Sequence, residues 1–155
     1  MKKEQVLNKL EHAWASFHKS YAGLTDEQLM QPGVTGDWSV KDILAHVSWW
    51  EEEALKHLPN ILQGQRPPRY SVTYGGIDAF NALMREQKRL LSLTEVVDQM
   101  DATHSRLVEY LQGVPEEQFT TETRFRRRLR LDTYSHYPIH TRAIWEWREQ
   151  EGYKA

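Results

Sequence analysis

Apolar residues recur every three or four positions along much of the chain, which is the spacing of one face of an α-helix. The clearest case is the first segment, whose apolar positions are Val6, Leu10, Trp14, Phe17, Tyr21 and Leu24. No segment shows sustained alternation of apolar and polar residues, except for a short arginine-rich stretch at 124–130. The pattern therefore predicts an all-α fold.

Capping residues mark where the later helices begin. Thr25 can cap a short helical turn, and Ser39 is predicted to cap a second long helix. The apolar positions of 77–111 predict a third helical region, interrupted near Leu93 by the capping box "SLTE". The last helix is predicted to begin between 132 and 135. Four long helical segments in 155 residues predict a single domain, residues 1–155, built as a four-helix bundle.

Composition narrows the environment and the partners. The chain has no apolar run that could span a bilayer, so no membrane insertion is expected. It has no cysteine, which excludes disulfides, thiolate ligands and a cysteine nucleophile, and fits a cytoplasmic location. The formal net charge of −2 gives no overall attraction to nucleic acid, which is an unlikely partner on this ground.

Three histidines form the strongest candidate for chemistry. In "YSHYPIH", His136 and His140 are four positions apart and would share a helix face. His46 lies on the second predicted helix. It lies 23 positions after Gly23 of "GLTDEQLM", and His136 lies 23 positions after Gly113 of "GVPEEQFT". The equal offsets suggest two related halves. Three imidazoles suit Zn, Ni, Fe or Mn as a divalent ion and leave positions open for a substrate.

A histidine pair at this spacing is also typical of surface residues or of hydrogen-bonded core residues. Pro138 adds a second question, because a proline inside a helix removes a hydrogen bond. If the helix begins near Ser135, the proline falls in the first turn, where it costs little. If it begins at Asp132, a kink is expected between the two histidines.

Two longer motifs carry a resemblance to a known family. "GDWSVKDILAHVSWWE" resembles the second helix of the DinB/YfiT-like superfamily, and "DTYSHYPIHTRAIWEWR" resembles its last helix. The resemblance implies a four-helix bundle with up-down-down-up order. It also implies a divalent-metal site at His46, His136 and His140. Where family members often have a glycine–glutamine pair after the last of these histidines, this chain has Thr141 and Arg142.

Other residues are candidates for a pocket next to the histidines. His104 lies on the apolar side of its helix and could be a pocket residue or a hydrogen-bonded core residue. Glu53 shares the face of His46, although its place in "EEE" predicts a solvated side chain. Trp50 flanks the same face and is a candidate for either pocket or core.

The arginine-rich stretch "RFRRRLR" offers a different chemistry. Arg126 and Arg128 are candidates for an anion site, because guanidinium groups bind phosphate and carboxylate. The alternative is a solvated loop whose arginines pair with nearby glutamates.

These observations lead to two functional hypotheses. The first is a metal-dependent enzyme acting on a small molecule, either a hydrolase or a transferase of a low-molecular-weight thiol, as the resemblance implies for detoxification or stress. Without cysteine, the chain would have to take such a thiol from solution. The second hypothesis is a protein that binds or sequesters a small molecule without catalysis. A homodimer is plausible in either case.

Overall fold

Helices and short turns make up the computed structural model, which describes residues 1–154. In chain order its helices are α1 (Lys3–Tyr21), α2 (Asp26–Leu29), α3 (Val40–Leu62), α4 (Tyr70–Thr73), α5 (Ile77–Lys88), α6 (Leu93–Gln112), α7 (Glu117–Thr120), α8 (Arg124–Asp132) and α9 (Tyr137–Glu151). Within this range the only β pairing is an isolated bridge between Thr35 and Trp38. The predicted all-α class is confirmed. None of these helices is both long enough and apolar enough to cross a bilayer.

Side-chain caps fix where three of the helices begin. Ser39 accepts a hydrogen bond from the backbone of Asp42, whose carboxylate accepts one from Ser39 in return. Thr25 and Ser92 make the same reciprocal pair with the third residue of their own helices. These caps satisfy backbone N–H groups that have no partner within the helix. The break predicted near Leu93 is confirmed, since α6 begins there.

Helix α3 is the centre of the structure. It packs against α6, α8 and α5, while α1 packs against α9. Most of its residues are buried, including polar ones such as His46, Glu51 and Glu53. The prediction that Glu53 is solvated is therefore wrong. A helix covered on several sides has only narrow exposed edges, and in "EEE" only Glu52 lies on one.

The arginine-rich stretch is a helix, α8, and not a solvated loop or strand. Phe125 and Leu129 are both buried and lie four positions apart, so they share the face that packs toward α3. The nine residues of α8, about two and a half turns, are enough to bury these two side chains while the arginines project around them. The alternation of apolar and polar residues in "RFRRRLR" does not indicate a strand here, because it arises from arginines placed around two buried residues of a helix.

The last helix begins later than predicted, at Tyr137, and Pro138 occupies its first turn. The missing N–H therefore costs nothing there, and no kink separates the two histidines. Ile139 is 60% exposed, whereas Tyr137, His140 and Ile144 are buried. These three are three or four positions apart and form the inward face of α9, while Ile139 is five positions from Ile144 and lies on another face.

A cluster of polar side chains lies where α1, α3, α6 and α9 meet. His104 Nδ1 lies 2.9 Å from Glu51 Oε2, and His104 Nε2 lies 2.9 Å from Glu11 Oε1. Tyr137 donates its hydroxyl to the same oxygen of Glu51 at 2.9 Å. The imidazole also stacks on Trp14, with ring centroids 3.7 Å apart. His104 is therefore a hydrogen-bonded core residue, the second of the two roles expected for it.

Arg148 links the end of α1 to the residues that follow α9. Its guanidinium is buried and donates to the carbonyl oxygens of Ser20 and Ala22, at the end of α1, at 2.8 and 2.9 Å. It also donates to the carbonyls of Tyr153 and Lys154. A cation suits the negative end of a helix dipole, so Arg148 acts as a cap for α1 supplied by α9.

Replacing this cap should destabilise the fold. We expect Arg148→Met to lower the free energy of unfolding by about 2–4 kcal/mol, because it leaves carbonyl oxygens buried without donors. Urea denaturation of the two proteins measures the difference. The matched control is Arg142→Met on the exposed face of α9, which should change stability by less than about 0.5 kcal/mol. Equal effects of the two substitutions would contradict the capping role.

The core cluster predicts a dependence of stability on pH. Burial by itself lowers the pKa of His104, but hydrogen bonds and charge from Glu51 and Glu11 raise it above its ordinary value. A raised pKa means that the folded state holds the proton more tightly than the unfolded state. The stabilisation is complete below the unfolded pKa of about 6.5 and is lost as pH rises through the folded value.

We therefore expect the stability difference between the parent protein and His104→Gln to be larger at pH 6 than at pH 9. Urea denaturation at the two pH values measures it. His12→Gln, at an exposed position of α1, is the control and should change stability by less than about 0.5 kcal/mol. A difference that grows from pH 6 to pH 9 would show that the sign is wrong.

Candidate metal centre

The three histidines singled out in the sequence meet in space. His46 comes from the second turn of α3, His136 directly precedes α9, and His140 lies one turn further along α9. The Nε2 atom of His136 lies 3.0 Å from Nε2 of His46 and 3.0 Å from Nε2 of His140. Three ring nitrogens thus converge from two helices.

A shared cation explains this convergence better than hydrogen bonds do. A ring nitrogen carries either a proton or a lone pair, so Nε2 of His136 cannot donate to one neighbour and accept from the other. Two nitrogens bound to one ion at about 2.0–2.1 Å are expected about 2.9–3.4 Å apart for coordination angles of about 90–110°. The two separations from His136 fall in this range, and one ring nitrogen from each histidine lies within 4.8 Å of the other two. The donor set fits a divalent metal.

Burial keeps these imidazoles in the form that binds metals. Burial lowers the pKa of His46 to about 2, with a further lowering from its two histidine neighbours. Burial and the proximity of His140 lower the pKa of His136 to about 3, and burial lowers the pKa of His140 to about 4. All three are therefore neutral near pH 7, with lone pairs available to a cation.

Aromatic rings fix the orientation of His46. The Trp38 and Trp49 rings contact it edge-on, with centroids 5.1 and 5.0 Å away. The Nδ1 atom of His46 is buried and has no hydrogen-bonding partner within residues 1–154. Its ring is therefore held by packing and not by the hydrogen bond that usually orients a metal-binding histidine.

A cavity of about 380 Å³ opens beside two of the histidines. It is lined by His46, Trp50, Tyr70, Ile77, Asn81, Arg128, Leu131, Asp132 and His136. Of the pocket candidates named from the sequence, Trp50 is in this lining, while His104 is in the core cluster. Glu53 does not line the cavity. It accepts a hydrogen bond at 2.9 Å from the hydroxyl of Tyr70, which does line it.

The two arginines predicted as an anion site are separated by the helix. Arg128 lines the cavity, donating from Nε to Asp132 at 2.7 Å and from Nη2 to the Tyr70 hydroxyl at 2.8 Å. Arg126 donates instead to the carbonyl of Phe119, outside the cavity lining. Residues two positions apart on a helix point in different directions, so the two side chains could not act together.

Burial raises the pKa of Asp132 to about 6, although the Arg128 charge beside it acts to lower it. Asp132, Asn81 and Leu131 were not identified from the sequence as cavity residues. Asn81 carried no signal, because a single asparagine on a polar helix face is unremarkable. Tyr70 carries a weak signal, since an aromatic residue between two predicted helices is a candidate for covering a cavity.

The 23-position match between the halves of the chain does not extend to the helices. Short helices α2 and α7 do follow the matched glycines Gly23 and Gly113. However, His46 lies inside α3, whereas His136 lies before α9 begins. The two histidines therefore meet through packing and not through equivalent positions in a repeated unit.

Solved structures share this fold. A protein described as sibling lethal factor precursor DfsB is 16% identical with a TM-score of 0.81, over 100% of this chain and 99% of its own. An uncharacterised protein from Escherichia coli UTI89 is 13% identical, with a TM-score of 0.82 over 99% and 96% of the two chains. At such identities the similarity establishes the fold alone.

The colibactin self-resistance protein ClbS, solved in complex with a double-stranded DNA, is 13% identical with a TM-score of 0.78, over 99% of this chain and 98% of its own. A comparison with curated protein sequences gives no significant match. The sequence model of one family, described as the DinB superfamily, matches residues 9–142. This match covers most of the chain, which therefore belongs to the DinB superfamily.

Proposed function

We propose that this chain is a divalent-metal-dependent enzyme that acts on a small molecule, with His46, His136 and His140 as the metal ligands. The observation that carries the proposal is the convergence of three neutral imidazoles, two of which, His46 and His136, line a cavity. A structural metal site is normally closed by four protein ligands. Three ligands beside an open cavity favour a catalytic site.

The bound ion, whether Zn, Ni, Fe or Mn, would supply Lewis acidity to a water molecule or a thiol. The residues of the chain position the reactants. Packing against Trp38 and Trp49 holds His46, and the first turn of α9 sets the spacing of the other two ligands. Hydrolysis needs only water as the second reactant. Transfer of a low-molecular-weight thiol needs a soluble thiol, because the chain has no cysteine.

The remaining cavity residues would bind and orient the substrate. Trp50 and Leu131 offer apolar surface, and Arg128 offers a cation held in place by Asp132 and Tyr70. We assign Glu53 a positioning role, since it accepts from the Tyr70 hydroxyl that Arg128 also contacts. The metal, the cavity and the cation would together suit the detoxification of a reactive small molecule. For the arrangement of the helices, we propose the up-down-down-up order that the resemblance to the family implies.

The second candidate is a non-catalytic protein that binds or sequesters a small molecule in the same cavity. The apolar and aromatic lining favours it, and so does the similarity in fold to a self-resistance protein. In this case the ion would be structural or unnecessary. The two candidates differ in one outcome, which is the formation of product.

Nucleic acid is a weaker candidate as partner, although ClbS was solved with DNA. Most arginines of α8 are engaged within the chain. Arg124 donates to the carbonyl of Gly64, Arg130 to Glu122, and Arg126 and Arg128 have the partners already described. Guanidinium groups committed to internal partners have fewer hydrogens left for phosphates. We therefore favour a small molecule.

Elemental analysis tests the metal site directly. Purified without a histidine tag, the protein should carry about one divalent ion per chain, and His140→Ala should carry less than about a tenth of that, because two ligands hold an ion poorly. The control His12→Ala removes an exposed imidazole on α1 and should leave the metal content unchanged. Metal retained by His140→Ala would contradict the ligand assignment.

Turnover tests the catalytic role separately. We expect the metal-loaded protein to convert at least one substrate in a panel of activated esters and of electrophiles supplied with a soluble thiol. A chelator should abolish this activity, and adding back the ion should restore it, because the ion provides the Lewis acid. Activity that survives complete metal removal would refute metal catalysis. Tight binding without product would instead support the sequestering role.

A further inference from the structure

The amide group of Asn81 has a defined orientation beside the metal cavity. The indole nitrogens of Trp49 and Trp50 lie 3.2 and 2.9 Å from one atom of this amide, its Oδ1. An indole nitrogen can only donate, so the atom that both indoles contact must be the oxygen. The NH₂ group of Asn81 is thereby left as a donor, and it has no hydrogen-bonding partner within residues 1–154.

Arg128 offers a second set of free donors to the same cavity. Asp132 and the Tyr70 hydroxyl occupy Nε and one position on Nη2. Nη1 contacts no acceptor in the part of the chain that the structure describes. The guanidinium is therefore fixed by two neighbours while part of its donor capacity is unused, which is the arrangement of a pre-organised recognition group.

The charge balance of the cavity favours an anion. Among the described residues, Asp132 is the only carboxylate in the lining, and it is paired with Arg128. A divalent ion held by the three histidines would add positive charge to the site. The free polar groups are donors, and the Tyr70 hydroxyl already donates to Glu53. The rest of the lining includes the apolar side chains of Trp50, Ile77 and Leu131.

We propose that the cavity selects small organic carboxylates with an apolar body, and that Arg128 and Asn81 supply the hydrogen bonds to the oxygen atoms of the ligand. Asn81 would then have two roles, because its oxygen accepts from two tryptophans and its nitrogen would donate to the ligand. This inference rests on the proposed function only in placing the ligand in the metal cavity. It adds the class of substrate and one residue, Asn81, that determines specificity.

The test compares three ligands of nearly the same shape by isothermal titration calorimetry on the metal-loaded full chain. They are 3-phenylpropionate, its neutral amide and 3-phenylpropylamine. A charge-assisted pair of hydrogen bonds should make the carboxylate bind at least about tenfold more tightly than the amide, and the amine should bind most weakly. Equal affinities for carboxylate and amide would overturn the proposal.

Two substitutions locate the selectivity. Asn81→Asp still accepts from both indoles, so the fold is retained, but it replaces the donor with a negative charge and should weaken carboxylate binding at least about tenfold. Arg128→Lys keeps the charge and loses the fork, and it should weaken binding less. Arg127→Lys, on the exposed side of α8, is the matched control and should have no effect. Unchanged carboxylate affinity in both cavity variants would also overturn the proposal.

Direct coordination of the carboxylate to the ion is the main competing explanation, and His140→Ala separates the two. If the donors select the ligand, this variant still prefers carboxylate over amide after its metal is lost. If the preference disappears with the metal, the assignment to Asn81 and Arg128 is wrong. Metal content and turnover are measured on the same samples. Selectivity can therefore fail while metal catalysis holds, and the reverse outcome is equally visible.

Discussion

Burial of helix α3 on most of its surface is the constraint on which the rest of the structure depends. The helix is long and capped at Ser39, and it packs against α5, α6 and α8. It nevertheless carries His46, Glu51 and Glu53 among its buried residues. A buried polar side chain without a partner is costly, so each of these must find one on a neighbouring helix. Their partners organise the core, the cavity and the candidate metal centre.

The two buried glutamates have different hydrogen-bonding partners. Glu51 accepts hydrogen bonds from the Tyr137 hydroxyl and interacts with His104, which connects α3 to α9 and α6. Glu53 accepts from Tyr70, and through it is linked to Arg128 and Asp132 on α8. The first network holds these three helices, α3, α6 and α9, together. The second holds one wall of the cavity, so the same physical requirement serves stability in one place and recognition in the other.

His46 has no such partner among the described residues except the two other histidines. Their mutual proximity and their burial both disfavour protonation, so the cluster cannot resolve its contacts by acquiring charge. A cation from outside the chain would resolve them, because it would accept lone pairs from all three nitrogens at once. In the cavity next to the cluster, the polar groups without a partner among the described residues are hydrogen-bond donors. Its apolar surface comes from Trp50, Ile77 and Leu131.

The sequence by itself determined the helical class, the capped starts of α2, α3 and α6, and the identity of the three histidines. These features depend on local spacing and on caps within a few residues of each other, which any reader of the chain can see. The sequence alone did not predict where α9 begins or that the arginine-rich stretch forms the helix α8. Both depend on which residues pack against α3, and arginine-rich segments give little local preference either way.

Only the tertiary structure decided which polar residues are buried and which groups share the cavity. Glu53 is buried because α3 is covered on several sides, and Arg128 is separated from Arg126 by the turn of a helix. Asn81 comes from α5, more than thirty positions from His46, and only packing against the two tryptophans of α3 fixes its amide. Contacts between residues distant in sequence are set by how helices pack, and no local pattern in the chain records them.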